Sequence, residues 1–143
     1  MSTAAFAVLT RHNATPARSR NLAPIALWAA QGALAAIFIF AGAMKFIMPM
    51  EDMQKEIAWS PWFMYFIGSA EIAGGAGLVV PGITKIARGL TPLAGIGLTI
   101  IMIGAVVTTA ATLGVLPALY PLAVGVVAVA IVRGRRSWLA AFR

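Results

Sequence analysis

The chain of 143 residues contains no cysteine and a single histidine, His12, close to its amino terminus. Without cysteine it cannot form a disulfide, react with a quinone through a thiol, or hold zinc or an iron–sulfur cluster through thiolates. His12 lies outside the apolar stretches, which excludes an intramembrane haem held by histidine. No metal site is therefore predicted. Autonomous redox chemistry is disfavoured, and a non-enzyme is a better interpretation of the chain than an enzyme.

Charged residues are also scarce: they make up 10% of the chain, whereas hydrophobic residues make up 61%. A soluble globular domain carries about 25% charged residues, so this deficit predicts that a lipid bilayer surrounds the protein. The net charge of +7 arises from basic residues near the ends of the apolar runs. That placement is typical of membrane topology signals, and nucleic acid is not predicted as a partner.

Four apolar runs are each close to the length that crosses about 30 Å of hydrocarbon as a helix. The predicted spans are about 24–48, 61–80, 91–111 and 117–132. Prolines and polar residues mark their ends, and Pro81 with Gly82 is expected to end the second span. The predicted fold is an all-α, four-helix transmembrane bundle. Its membrane domain covers 23–133, with basic tails at 1–22 and 134–143.

The distribution of lysine and arginine predicts how the spans are oriented. Basic residues are concentrated in the amino-terminal tail, the second connection and the carboxy-terminal tail. The first connection has Lys55 as its only basic residue among three acids, and the third connection is uncharged. By the positive-inside rule both termini should face the cytoplasm. The expected location is a bacterial cytoplasmic (inner) membrane.

The first connection has a pattern of its own between Met50 and Trp59. Met50, Met53 and Ile57 fall at helical spacing, and charged residues occupy the other side. This pattern predicts a short amphipathic helix that lies on the outer membrane surface. A solvated loop is the alternative for a segment of this length.

Small residues follow one another at helical spacing within the first two spans. Ala70 and Gly74, for example, form a small-xxx-small pattern, which lets helix backbones approach closely in lipid. We therefore expect Gly42, Gly68, Gly74 and Gly75 to contact neighbouring helices. Because these glycines lie within spans rather than between a strand and a helix, no phosphate-binding loop is predicted.

Lys45 and Glu71 are the only charged residues inside the predicted spans. An ionisable group in hydrocarbon costs about 2.5–3.5 kcal/mol on insertion scales, so two opposite charges on consecutive spans predict a shared polar site. Such a pair could bind a ligand, move protons, or lock the first two spans together. In the alternative, Lys45 extends to the headgroups while Glu71 is protonated and hydrogen-bonded.

Two segments around these charges resemble a known family. Residues 38–46 (FIFAGAMKF) and 68–75 (GSAEIAGG) are similar to the first-helix and second-helix patterns of the DoxX-like membrane proteins. The resemblance extends over about 26–132. It implies a small membrane subunit, since some members are associated with thiosulfate:quinone oxidoreductase and others with oxidative-stress assemblies. The resemblance does not identify any residue of this chain as catalytic.

These observations leave three hypotheses about function. The first is an accessory or anchoring subunit of a membrane redox or stress-related assembly, for which the resemblance alone implies a quinone as ligand. The second is a small-solute or proton-coupled carrier that uses Lys45 and Glu71. The third is an enzyme that acts on a lipid-soluble substrate with the same two residues as acid and base. The expected partners are the bilayer and either another membrane protein or a second copy of the chain.

Overall fold

The computed structural model describes residues 22–56 and 59–142, apart from the side chains of Glu56, Ala141 and Phe142. These residues form five α-helices and a carboxy-terminal 3₁₀ helix, with no β-strand among them. The elements are α1 (Ala23–Ile47), α2 (Met50–Glu56), α3 (Pro61–Thr84), α4 (Leu90–Thr112), α5 (Val115–Gly134) and the 3₁₀ helix (Arg136–Phe142). Apart from α2, each α-helix is long and apolar enough to cross a membrane.

The second long helix continues through Pro81 to Thr84, so the prediction that Pro81 and Gly82 end this span is wrong. Proline removes one intrahelical hydrogen bond, here the one to the carbonyl of Gly77. Membrane helices tolerate this loss where neighbouring groups and local adjustments satisfy the backbone. Pro81 is buried against the other helices. The helix ends instead at Thr84, because the capping residue Lys85 has a left-handed φ of 61°, which stops helical propagation.

The last long helix begins ahead of its first proline. It starts at Val115, earlier than the predicted 117, and contains Pro121 in its interior. Pro117 falls in the first helical turn, where the missing backbone N–H has no intrahelical partner to lose. The turn before the helix contains Gly114 with φ of 99°, a conformation that glycine adopts without steric cost.

The four long helices pack in sequence order around one apolar core. α1 packs mainly on α3, α3 on α4, and α4 on α5, and α1 also contacts α5. The core contains residues from all four helices: Leu34, Ala35, Phe38, Leu78, Leu98, Met102, Val124, Ala128 and Ile131. Large apolar side chains also cover much of the outer surface of these helices. An outer surface of this kind suits lipid rather than water.

Glycines allow α1 and α3 to touch through their backbones. A Cβ atom added at Gly42 would lie 2.6 Å from the carbonyl oxygen of Gly68, and one added at Gly68 would lie 3.0 Å from that of Gly42. A Cβ at Gly75 would lie 2.9 Å from another carbonyl oxygen of α1. Gly74 instead faces α4, because its Cβ would lie 2.6 Å from Cδ2 of Leu98. Close backbone contact of this kind drives helix association in lipid.

The segment after α1 is helical from Met50 to Glu56, so the alternative of an irregular loop is wrong for these residues. Met50 and Met53 are half-buried, whereas Glu51 and Asp52 are exposed, as expected for an amphipathic helix. Ile57, the third apolar residue of the predicted pattern, lies outside the described residues.

The two predicted tails differ in what the structure describes. The amino-terminal tail up to residue 21, including His12, lies outside the described residues. The carboxy-terminal tail predicted from residue 134 is in large part the 3₁₀ helix Arg136–Phe142, which contacts α4 and α5. The described part of this basic tail is therefore a short helix attached to the bundle.

The contact between α1 and α3 predicts opposite effects for two Gly→Ala substitutions. Gly42→Ala should lower the free energy of unfolding by about 1–3 kcal/mol, because the added methyl group meets a backbone carbonyl that cannot rotate away. Gly97→Ala is the matched control: no atom lies within 4 Å of its added Cβ, and it should be neutral or stabilising by up to about 1 kcal/mol.

Both variants can be compared by SDS-induced unfolding in mixed micelles. An unchanged stability for Gly42→Ala would contradict the backbone contact between α1 and α3. A loss of stability in Gly97→Ala would show that this face of α4 is covered by another chain.

Candidate functional site

The backbone contact of α1 with α3 places two charged side chains opposite each other. Lys45 lies one helical turn after Gly42, and Glu71 lies one turn after Gly68. The Cβ of an alanine at Gly68 would meet Cβ of Lys45 at 3.1 Å, and one at Gly42 would meet Cβ of Glu71 at 3.2 Å. Because each glycine has no side chain, it leaves room for the charged residue of the other helix.

Lys45 and Glu71 form an ion pair across this contact. Nζ of Lys45 donates a hydrogen bond of 2.7 Å to Oε2 of Glu71. The Glu71 side chain is 6% exposed and that of Lys45 is 20% exposed. The ammonium group thus turns toward the neighbouring helix. In the predicted alternative it would extend to the headgroups.

The backbone of α1 also suits a cation at Lys45. The residue is in the last turn of the helix, where the unpaired carbonyl groups give a partial negative charge. The carbonyl oxygen of Ala41 lies 3.5 Å from Nζ, at the outer limit of a hydrogen bond. An ammonium group has three donors. Only one of them is used by Glu71 at short distance, so Lys45 keeps donor capacity for a further acceptor.

Two cavities adjoin this ion pair. The first, of about 280 Å³, is lined by residues of all four long helices, including Phe38, Thr109 and Tyr120. The second, of about 440 Å³, lies beside α3 and α4 and is lined by aromatic residues such as Trp59 and Phe63. Lys45 and Glu71 line both cavities. The pair therefore provides the charged groups of two otherwise mostly apolar spaces.

The geometry defines what this site can do. A mostly apolar cavity with one ammonium donor and one carboxylate can hold a lipid-soluble molecule by its polar end. The same two groups could exchange a proton, since either is a donor or an acceptor in one of its states. By contrast, a groove of about 350 Å³ between α4 and α5 is lined by apolar residues and Thr99, whose hydroxyl donates to the carbonyl of Gly95. That groove contains no titratable group and is not a candidate site.

A second polar centre, at the opposite end of the bundle, was missed by sequence reasoning. Gln31 of α1 is fully buried, and its Nε2 donates a 2.6 Å hydrogen bond to the carbonyl of Leu78 in α3. Nε of Arg135 donates a 2.7 Å hydrogen bond to Oε1 of Gln31. Burial lowers the pKa of the Arg135 guanidinium from its ordinary value, but arginine remains a cation in proteins.

Two tryptophans enclose this arginine. Its Cζ lies 4.3 Å from the ring centroid of Trp138 and 5.3 Å from that of Trp28. These cation–π contacts partly replace the water that Arg135 loses on burial. The arrangement joins the start of α1 to the end of α5 and to the 3₁₀ helix.

The hydroxyl groups of Ser69, Thr99 and Thr108 are satisfied within their own helices, because each donates to the carbonyl four residues earlier. Gln31 differs, because its amide connects two helices and an arginine. The only signal in the sequence was the amide itself, because glutamine is costly in an apolar span unless its polar groups are paired.

The ion pair predicts non-additive effects in a double-mutant cycle. Lys45→Met and Glu71→Gln should each lower the free energy of unfolding, by about 3 kcal/mol where a charge is left buried without its partner. The double variant should cost less than the sum of the two, by roughly 0.5–3 kcal/mol. The measurement is unfolding in detergent with increasing SDS.

The chain contains its own control for that cycle. Lys55 and Asp52 form an exposed ion pair of 2.6 Å in α2, so the cycle of Lys55→Met with Asp52→Asn should show a coupling of less than about 1 kcal/mol. Equal coupling energies in the two cycles would mean that burial gives the Lys45–Glu71 pair no special strength.

Comparison with known proteins identifies the family. The model of the DoxX-like family matches residues 29–131, a stretch that contains Lys45, Glu71 and most of all four long helices. No curated protein and no solved structure matches the chain. The family match extends over more than half of the chain, and the resemblance drawn from its two sequence segments is confirmed. With four helices able to cross a membrane, this protein is an integral membrane protein that belongs to the DoxX-like family.

Proposed function

We propose that this protein is an accessory subunit of a redox or stress-related assembly in a bacterial cytoplasmic membrane. The observation that carries the proposal is the Lys45–Glu71 ion pair, which lines two cavities within the bundle. Membrane helices make up most of the described chain, and its described part has no separate domain outside them. A subunit built in this way depends on a partner for catalysis and contributes a site inside the membrane.

The ligand that best suits this site is a lipid-soluble molecule with a hydrogen-bond acceptor, such as a quinone. The Lys45 ammonium can donate to a quinone carbonyl while it remains paired with Glu71. Trp59, Phe63 and Phe66 line the 440 Å³ cavity beside the pair and suit a flat apolar ring. When bound, a quinone would accept electrons from the partner enzyme. The residues of this chain would hold and orient it.

Purification of the tagged chain from native membranes in mild detergent tests both parts of the proposal. We expect a partner enzyme in stoichiometric amount and a quinone that organic solvent extracts from the complex. Lys45→Met should retain about tenfold less quinone, since it loses a charged hydrogen-bond donor, while the partner stays bound. Lys55→Met is the matched control, because it removes an exposed lysine of α2, and should retain both.

A carrier is the second candidate function, and the same pair is the reason. Lys45 and Glu71 face cavities on two sides, an arrangement in which a proton or a small polar solute could pass between them. Absence of any stoichiometric partner, together with proton uptake by proteoliposomes that Glu71→Gln abolishes, would reject the accessory role and support the carrier.

We also propose that both termini face the cytoplasm, because the basic residues flank that side of the spans. The chain has no cysteine, so single cysteines can be introduced and labelled with an impermeant maleimide in spheroplasts. Glu51→Cys in α2 should be labelled, whereas Ala140→Cys in the 3₁₀ helix should be labelled only after lysis. The opposite pattern would reverse the orientation.

A further inference from the structure

One end of the bundle contains a group of basic residues without acidic partners. The α3–α4 connection and the end of α5 meet at this end, and they contribute Lys85, Arg88, Arg133, Arg135 and Arg136. No aspartate or glutamate precedes Glu51 or follows Glu71 in the sequence. Glu71 itself is paired with Lys45 near the other end. No acidic side chain therefore lies in the chain segments that form this end.

The two buried side-chain atoms that lack a hydrogen-bond partner, among the described residues, both belong to this end. They are Nη2 of Arg135, at the end of α5, and Oγ1 of Thr91, in the first turn of α4. Arg135 is 8% exposed and Thr91 is fully buried. Buried polar groups without partners are rare and call for an explanation, of which an unseen ligand is one. The Arg135 guanidinium is the more informative of the two because it is a cation.

Trp138 links Arg135 to a second arginine. Cζ of Arg88 lies 5.7 Å from the Trp138 ring centroid, and Cζ of Arg135 lies 4.3 Å from the same centroid. Two guanidinium groups thus share one indole ring. Two cations beside one ring repel each other, and a low local dielectric strengthens the repulsion. An anion that contacts both guanidinium groups would offset that repulsion.

We propose that Arg88 and Arg135 bind the phosphate group of an anionic phospholipid, such as phosphatidylglycerol. Arginine is well suited to phosphate because its planar fork presents parallel N–H donors. The site lies at the end of the membrane helices beside Trp28 and Trp138, and tryptophan is enriched where headgroups lie. Basic pockets between helices at this level recognise anionic headgroups. The proposal does not depend on the function assigned to Lys45 and Glu71.

Specific binding can be distinguished from general attraction to a basic surface. The hydrogen bond of Arg135 to Gln31 fixes the guanidinium before a lipid arrives, so little side-chain entropy is lost on binding. Arg133 is exposed in the last turn of α5 and provides the comparison, since it carries the same charge close by. A single surface arginine should change lipid affinity by about fivefold at most.

Native mass spectrometry of the full chain in detergent, titrated with phosphatidylglycerol or phosphatidylcholine, tests the proposal. The wild-type protein should bind phosphatidylglycerol more tightly than phosphatidylcholine. Arg88→Gln and Arg135→Gln should each weaken phosphatidylglycerol binding about tenfold or more, and Arg133→Gln by less than about fivefold. Arg135→Lys keeps the charge but loses the fork, and should bind as weakly as Arg135→Gln.

The outcomes separate the alternatives. If Arg135→Gln does not fold, Arg88→Gln still decides the question, because Arg88 is half-buried in a connection outside the helices. Equal losses in Arg133→Gln and Arg88→Gln would overturn the proposal in favour of diffuse attraction. Displacement of the lipid by millimolar inorganic phosphate would overturn it in favour of a free phosphate ion. Phosphatidylglycerol binding at the wild-type level in both Arg88→Gln and Arg135→Gln would also overturn the proposal. It would favour a partner protein as the ligand of this end of the bundle.

Discussion

The backbone contact between α1 and α3 is the constraint on which the rest of the structure depends. Gly42 and Gly68 face each other so closely that a methyl group on either would meet a carbonyl oxygen. One turn away, this spacing brings the ammonium of Lys45 within 2.7 Å of the carboxylate of Glu71. A charge pair in lipid is favourable only if its partners meet directly, because neither can obtain water at low cost. By allowing this direct contact, the glycines lower the free-energy cost of two charges within the membrane. The ion pair in turn fixes the position of α1 along α3.

Much of the fold could be predicted from the sequence, because a membrane helix requires a long run of apolar residues. Uninterrupted apolar runs predict the four long helices, and two opposite charges on consecutive spans predict a shared polar site. The end of α3 could not be predicted, because Pro81 breaks a helix in water but is tolerated where its neighbours are buried. In that case the tertiary environment overrides the local signal.

The second polar centre was hidden for a different reason. Gln31 and Arg135 are separated by 104 positions in the chain, and they meet only because the helices alternate in direction. In the sequence Arg135 is one of several arginines after a span, where positive charge is the usual mark of topology. Nothing in that local pattern distinguishes the buried arginine from its exposed neighbours Arg133 and Arg136. Only the packing of Trp28 and Trp138 around it does so.

The layer of core between the two polar centres also restricts what can move through the protein. Gln31 and Lys45 are about 21 Å apart along α1, at about 1.5 Å per residue. Between them lie Phe38 and Leu98, each almost fully buried. Protons relay through hydrogen-bonded water or polar side chains, and these apolar side chains provide no polar atom for such a relay. A carrier cycle would therefore have to move this apolar layer, whereas a subunit that only holds a ligand beside Lys45 would not.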